Sequence, residues 1–118
     1  MVTNDFIGLR KVTNNKASAK KEWEKFNNKT GIPNKTVLFS VLGGRDNKYK
    51  TNKNTNNPYR AMHTNFKLDG FGAEAQFVSD PFEELNEVMH LAYKKGNVTK
   101  KSKISFSKKS KELIKKGY

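Results

Sequence analysis

The sequence predicts a single α/β (α+β) domain, with a mixed β-sheet of about four to five strands flanked by helices. Three observations predict it. The chain has 118 residues, the length of one domain. Residues 60–68 and 73–78 alternate polar and apolar side chains, as half-buried strands do. Apolar stripes at helical spacing run through 16–28 and 82–92, before and after the strand-like stretches.

Taken in order, Val2 to Val12 holds Phe6, Ile7, Leu9 and Val12, a short apolar run expected to form a buried strand. Residues 16–28 then place Ala19, Trp23 and Phe26 on one helical face among Lys and Glu, and Thr30-Gly31 and Pro33 stop the helix. TVLFSVL at 36–42 is β-branched and aromatic and ends at Gly43-Gly44, so it predicts a second buried strand. GGRDNKYKTNKNTNNPYR, residues 43–60, has almost no apolar residues and reads as a long basic loop of the kind that carries function. Residues 60–68 and 73–78 follow, with Asp69-Gly70 between them, as a hairpin. Asp80 before Pro81, with Glu83 three residues on, has the spacing of a capping box with Pro at the first helical position. That helix carries Phe82, Leu85, Val88, Met89 and Ala92 on one stripe and should stop near Gly96-Asn97. A last helical turn or two is expected at 107–116, around Leu113 and Ile114.

Composition removes whole classes of function. With no Cys, there are no disulfides, no thiol catalysis and no Cys-ligated zinc. No apolar run approaches the roughly 18 residues of a membrane span, and the N-terminus lacks a charged-then-apolar signal. The expectation is a cytoplasmic protein without a membrane partner. Twenty-four Lys and Arg against eleven Asp and Glu give a net charge of +13, which suits polyanionic partners such as nucleic acid or nucleotide phosphates, or an acidic protein. The excess concentrates in 45–60 and in 99–118, where eight Lys face Glu112 alone. A solvated Lys-rich surface is the plain alternative for the second cluster.

Four places join polar functional groups to strand ends or loops. Asp5 heads the first strand; Tyr59, Arg60 and His63 lie where the basic loop enters the hairpin. Glu74 and Gln76 share one face of the second hairpin strand, because residues two apart point the same way. His90 lies on the last long helix, where beside Glu87 it reads as an exposed helical pair. A phosphate-transfer site needs carboxylates for Mg²⁺, cations for phosphate oxygens and often an aromatic face for a base. Asp5 and Glu74, the 45–60 cations and Tyr59 offer those roles. A zinc site from His63 and His90 lacks any motif spacing.

DFIGLR at 5–10, NPYRAMH at 57–63, EAQF at 74–77 and HLAYKKG at 90–96 stand in one order, and together they resemble the RelA/SpoT alarmone synthetase domain. The first resembles the family's D-x-x-G-x-R strand, the second its N-G-Y-R-S-x-H loop, the third E-x-Q-[IF] and the last the H-x-x-Y-K helix. The resemblance implies a pyrophosphokinase moving the β,γ-diphosphate of ATP to the 3′-hydroxyl of a guanine nucleotide, in the stringent response. Asp5 and Glu74 would serve Mg²⁺ and the attacking hydroxyl. Tyr59 would stack on the acceptor base near Asn57, Arg60, His63 and Gln76, and Arg45, Lys48 and Lys53 would meet acceptor phosphates. It also implies a domain over 1–98 lacking the family's upstream ATP-binding strand and helix, followed by a basic tail at 99–118. Pro58 replaces the Gly of N-G-Y, and Val78-Ser79 the Arg-Thr that often follows E-x-Q-I.

The E-x-Q-F form and basic tail are closer to toxic small alarmone synthetases, which adds a tRNA 3′ end or other RNA as an acceptor and an antitoxin as a partner. Two alternatives remain open at this point. One is a non-catalytic synthetase fold that binds nucleotide, RNA or protein. The other is a metal-independent RNase toxin using His63, Glu74 and Arg45.

Overall fold

The computed structural model describes residues 7–30, 44–68 and 71–118. Asp5, the 36–42 strand and the Asp69-Gly70 turn lie outside the described residues. The described elements run β1 (Ile7–Thr13), α1 (Lys16–Thr30), β2 (Gly44–Asn47), α2 (Lys48–Thr51), β3 (Met62–Leu68), β4 (Phe71–Ser79), α3 (Asp80–Lys94) and α4 (Lys100–Lys115). Among them the sheet is four-stranded and mixed, in the order β1-β4-β3-β2, with β1 parallel to β4 and the other pairs antiparallel. The fold is the expected α+β domain.

Strand alternation sorts the sheet into two faces. Ala75, Phe77, Met62 and Thr64 are buried beneath α1, where Trp23 donates its indole N–H to the Thr64 hydroxyl at 2.8 Å. Phe26 packs edge-on to Phe66 and tilted against Phe77, with ring centroids 5.5 and 5.6 Å apart. The other face carries Glu74, Gln76 and Val78 of β4, and by register Gly8, Arg10, His63, Asn65 and Asp46. Leaving β4 at Ser79, α3 turns back and sends Glu83 and Glu87 to Arg10. Tyr49 of α2, Phe82 of α3 and Leu113 of α4 extend the core beyond the sheet, with Phe82 fully enclosed and edge-on to Tyr49.

Several expectations change. β1 is an edge among the described strands, and Leu9 and Val12 are half exposed rather than buried, as residues of an edge strand are. The 45–60 stretch is not one open loop: it starts as β2 and the one-turn helix α2, with Asp46 and Asn47 buried. Asn47 makes that change of direction, accepting from the Tyr49 amide at 3.0 Å. Residues 52–61 are irregular but tied down, since the Arg60 guanidinium donates to the carbonyls of Asn52, Asn57 and Tyr59.

α3 starts with Ser79 at the N-cap and Asp80 inside the first turn, where its charge favours the helix dipole. The expected capping box is absent there, and the Ser79 hydroxyl donates instead to the Tyr118 carbonyl. The C-terminal signal holds: Gly96, at φ +70°, donates to Tyr93 and Asn97 donates to Ala92, the paired bonds of a glycine-terminated helix. The basic 99–118 segment is a full helix from Lys100, opened by reciprocal Thr99–Ser102 capping. It packs through buried Ser110 and Leu113, and the Ser110 hydroxyl donates to the Pro58 carbonyl at 2.8 Å.

Candidate functional site

The sheet face opposite α1 assembles a polar network from three segments. Glu74 and His63 stand diagonally across the β3–β4 pair, because His63 is in register with Gln76 and Glu74 lies two residues away. His63 Nδ1 is 3.3 Å from Glu74 Oε2, and Gln76 Nε2 donates to Oε1 at 2.6 Å. The Tyr59 hydroxyl meets His63 Nε2 at 2.7 Å, with the two rings edge-on. An imidazole with its proton on Nδ1 satisfies both contacts: it donates to Glu74 and accepts from Tyr59.

Sequence places Tyr59 there through the residues just before it. The Asn57 side-chain carbonyl accepts from the Tyr59 amide at 3.0 Å, closing a turn across Pro58. Pro58 fixes its own φ, so the turn presents the aromatic ring to His63 with little freedom.

Charge is divided unevenly here. The His63 contact holds the Glu74 carboxyl below its ordinary pKa, burial opposes this, and Gln76 and Lys48 add to the lowering. Glu74 is therefore an ionised, half-buried carboxylate at neutral pH. Burial pushes the Tyr59 phenol upward, so it remains protonated as a donor. Asp46 is fully buried opposite His63 in register, and Lys48 Nζ pairs with its Oδ2 at 2.5 Å. Arg10, in register with Gln76, is held by Glu83 at 2.7 Å and Glu87 at 3.2 Å.

The depressed Glu74 pKa has a signed consequence for stability. Its contribution is present above the ordinary carboxylate range and disappears as pH falls through the folded-state value. Chemical denaturation at successive pH values below about 4.5 should show unfolding free energy declining, with a shallower decline in Glu74→Gln. Equal slopes for the two proteins would remove Glu74 as a contributor.

The structure brings together Glu74, Gln76, His63 and Tyr59, with Asn57 orienting Tyr59 and Lys48 nearby. It does not bring Arg45 to them: Arg45 is in register with Thr64, on the face beneath α1. Arg60 is buried and committed to backbone carbonyls, and Lys53 is exposed beyond α2 beside a separate cavity. His90 is exposed on α3, while the expected partner Glu87 reaches Arg10 instead. Asp5 lies outside the described residues, although β1 does pair with the Glu74 strand. Sequence reasoning missed Asp46 and Arg10 as neighbours of this site. Arg10 stood within DFIGLR, and the parallel register of β1 on β4 is what reveals its position.

Among the described residues no three His, Asp or Glu side chains form a metal-binding group. Within the described network Glu74 supplies an ionised carboxylate, which suits a hard cation that keeps most of its other ligands as water and phosphate.

Comparison with solved structures assigns the architecture. A GTP pyrophosphokinase family protein from Streptococcus pneumoniae superimposes with a TM-score of 0.62 at 16% identity, over 92% of this chain and 53% of that one. The small alarmone synthetase 1 from Bacillus subtilis, bound to its product pppGpp, gives 0.60 at 14% identity, over 92% of this chain and 54% of that one. The fold is that of an alarmone synthetase domain. The chain spans about half the length of the two synthetase structures it matches. No family model matches the chain, and no curated protein matches it by sequence. Within the alarmone synthetase fold, the Tyr59–His63–Glu74–Gln76 network occupies the sheet face opposite α1.

Proposed function

We propose that this protein is a nucleotide pyrophosphotransferase, moving the β,γ-diphosphate of ATP to the 3′-hydroxyl of a guanine nucleotide. The observation that carries the proposal is the ionised Glu74 carboxylate, held by His63 and Gln76 on the sheet face opposite α1 in a synthetase fold. The pppGpp held by the Bacillus subtilis enzyme supports a guanine nucleotide as acceptor.

The chemistry follows from the residues. The acceptor 3′-oxygen bonds to the β-phosphorus of ATP, the bond from that phosphorus to the α,β-bridging oxygen breaks, and AMP leaves. Glu74 takes the hydroxyl proton, and its lowered pKa keeps it ready to do so at neutral pH. Gln76 and His63 fix the direction of its lone pairs, while Tyr59 fixes the imidazole. Bound Mg²⁺, held by Glu74 with Asp5, would neutralise phosphate charge as it shifts during transfer. Lys48 supplies a second positive charge near the same face. Such transfer depends mainly on positioning and charge neutralisation, for which an ordered, half-buried network is suited.

The test is thin-layer separation of products from γ-labelled ATP and Mg²⁺ with GDP, GTP, ATP or bulk tRNA as acceptor. Label should move to GDP or GTP. Transfer to tRNA alone would reassign the acceptor, and no transfer to any of them would reject the reading. RNA cleavage in EDTA without transfer would assign His63 and Glu74 to ribonuclease chemistry instead.

A further inference from the structure

A cavity of about 440 Å³ opens between α1, α2, the 52–58 turn and α4. Lys16 and Lys20 reach it from α1, Lys50 from α2, Lys53 from the turn, Arg60 from before β3 and Lys111 from α4. Among the described residues no acidic side chain lines it. The described ion pairs use Arg10, Lys48 and His63, so none of these six cations is neutralised by a described carboxylate. Glu74, Gln76, His63 and Tyr59 do not line this cavity.

Arg60 distinguishes the place from an ordinary Lys-rich surface. Only 6% exposed, it spends both terminal nitrogens on backbone carbonyls, and its buried Nε has no hydrogen-bond partner among the described residues. A buried positive charge answered only by carbonyl dipoles raises the potential of the cavity it lines. Five ammonium groups around the same concavity, that of Lys16 lying over the Tyr49 ring at 4.9 Å, repel one another until an anion binds. The cations converge on one hollow from separate elements, and they do not form a stripe along a helix. That arrangement fits clustered phosphates better than the spaced phosphates of an extended RNA backbone.

We propose that this cavity is a second anion site, separate from the Glu74 network, that takes a compact oligophosphate such as the triphosphate group of a nucleotide. The proposal goes beyond the transferase reading and stands without it.

Isothermal titration with inorganic tripolyphosphate tests it on the wild type, Lys20→Glu/Lys111→Glu and the charge-matched control Lys94→Glu/Lys101→Glu. All four lysines are exposed. The cavity variant should lose about tenfold or more in affinity while the control stays near wild type, since charge-assisted contacts act at short range. Lys50→Ala/Lys53→Ala should weaken binding in the same direction, which guards against misfolding of the first variant. Glu74→Gln should bind tripolyphosphate as the wild type does, so failure of the transferase reading leaves this result intact. GTP binding more tightly than tripolyphosphate identifies a nucleotide, and equal binding identifies free oligophosphate. Equal losses in both double variants, or saturable binding of short RNA but not of tripolyphosphate, would overturn the proposal.

Discussion

Glu74→Gln is expected to lower diphosphate transfer by about 10²–10⁴-fold, the range over which a positioned acid–base group acts, while leaving the fold intact. The substitution is isosteric, and the introduced amide oxygen can still accept from Gln76. Its NH₂ would face His63 Nδ1, which requires the imidazole to move its proton to Nε2 and donate to the Tyr59 oxygen. The network therefore survives with reversed polarity. What disappears is the negative charge, and with it the acceptor for the hydroxyl proton. Steady-state transfer assays, paired with far-UV circular dichroism and thermal melts, separate loss of chemistry from loss of structure. Transfer within severalfold of wild type would show that Glu74 is not the base.

Phe82→Ala is expected to be the most damaging single truncation. Phe82 is 0% exposed and packs edge-on to Tyr49 at 5.7 Å, joining α3 to α2 at the end of the sheet. Phe-to-Ala changes in enclosed sites cost about 3–5 kcal/mol, a large fraction of the roughly 5–15 kcal/mol that holds a domain together. This chain has little reserve, since hydrophobic residues make up 34% of it. The melting temperature should fall on the order of 10–20 °C, read by calorimetry or circular dichroism. A fall of only a degree or two would mean that the cavity collapses onto Tyr49 and Leu113.

Much of this could be read from the chain. The β3–β4 hairpin and α3 announced themselves through period-two alternation and through Pro81 and Gly96, which are local signals that act over a few residues. Glu74 and Gln76 were identified as sharing a face because that follows from strand geometry alone. The contact between Glu74 and His63 was not legible, because it depends on a register eleven residues apart in sequence and diagonal across two strands. The 45–60 stretch misled for a related reason. Arg45, Asp46 and Asn47 look like solvated loop residues, yet pairing with β3 buries them. In α4, Thr99 and Ser102 cap the helix without the acidic partner that usually marks such a start, and Lys residues dominate the rest. Its helicity shows only once Ser110 and Leu113 have something to pack against.

The bond from Ser110 to the Pro58 carbonyl links the C-terminal helix to the loop before β3. Pro58 immediately precedes Tyr59, so α4 acts as a brace on the loop that aims the aromatic ring. A protein shortened before Ser110 would lose one anchor of that loop, leaving Arg60 and Asn52 to hold it. The C-terminal lysine helix and the sheet-face network are thereby one mechanical unit, and wear on the first is felt at the second.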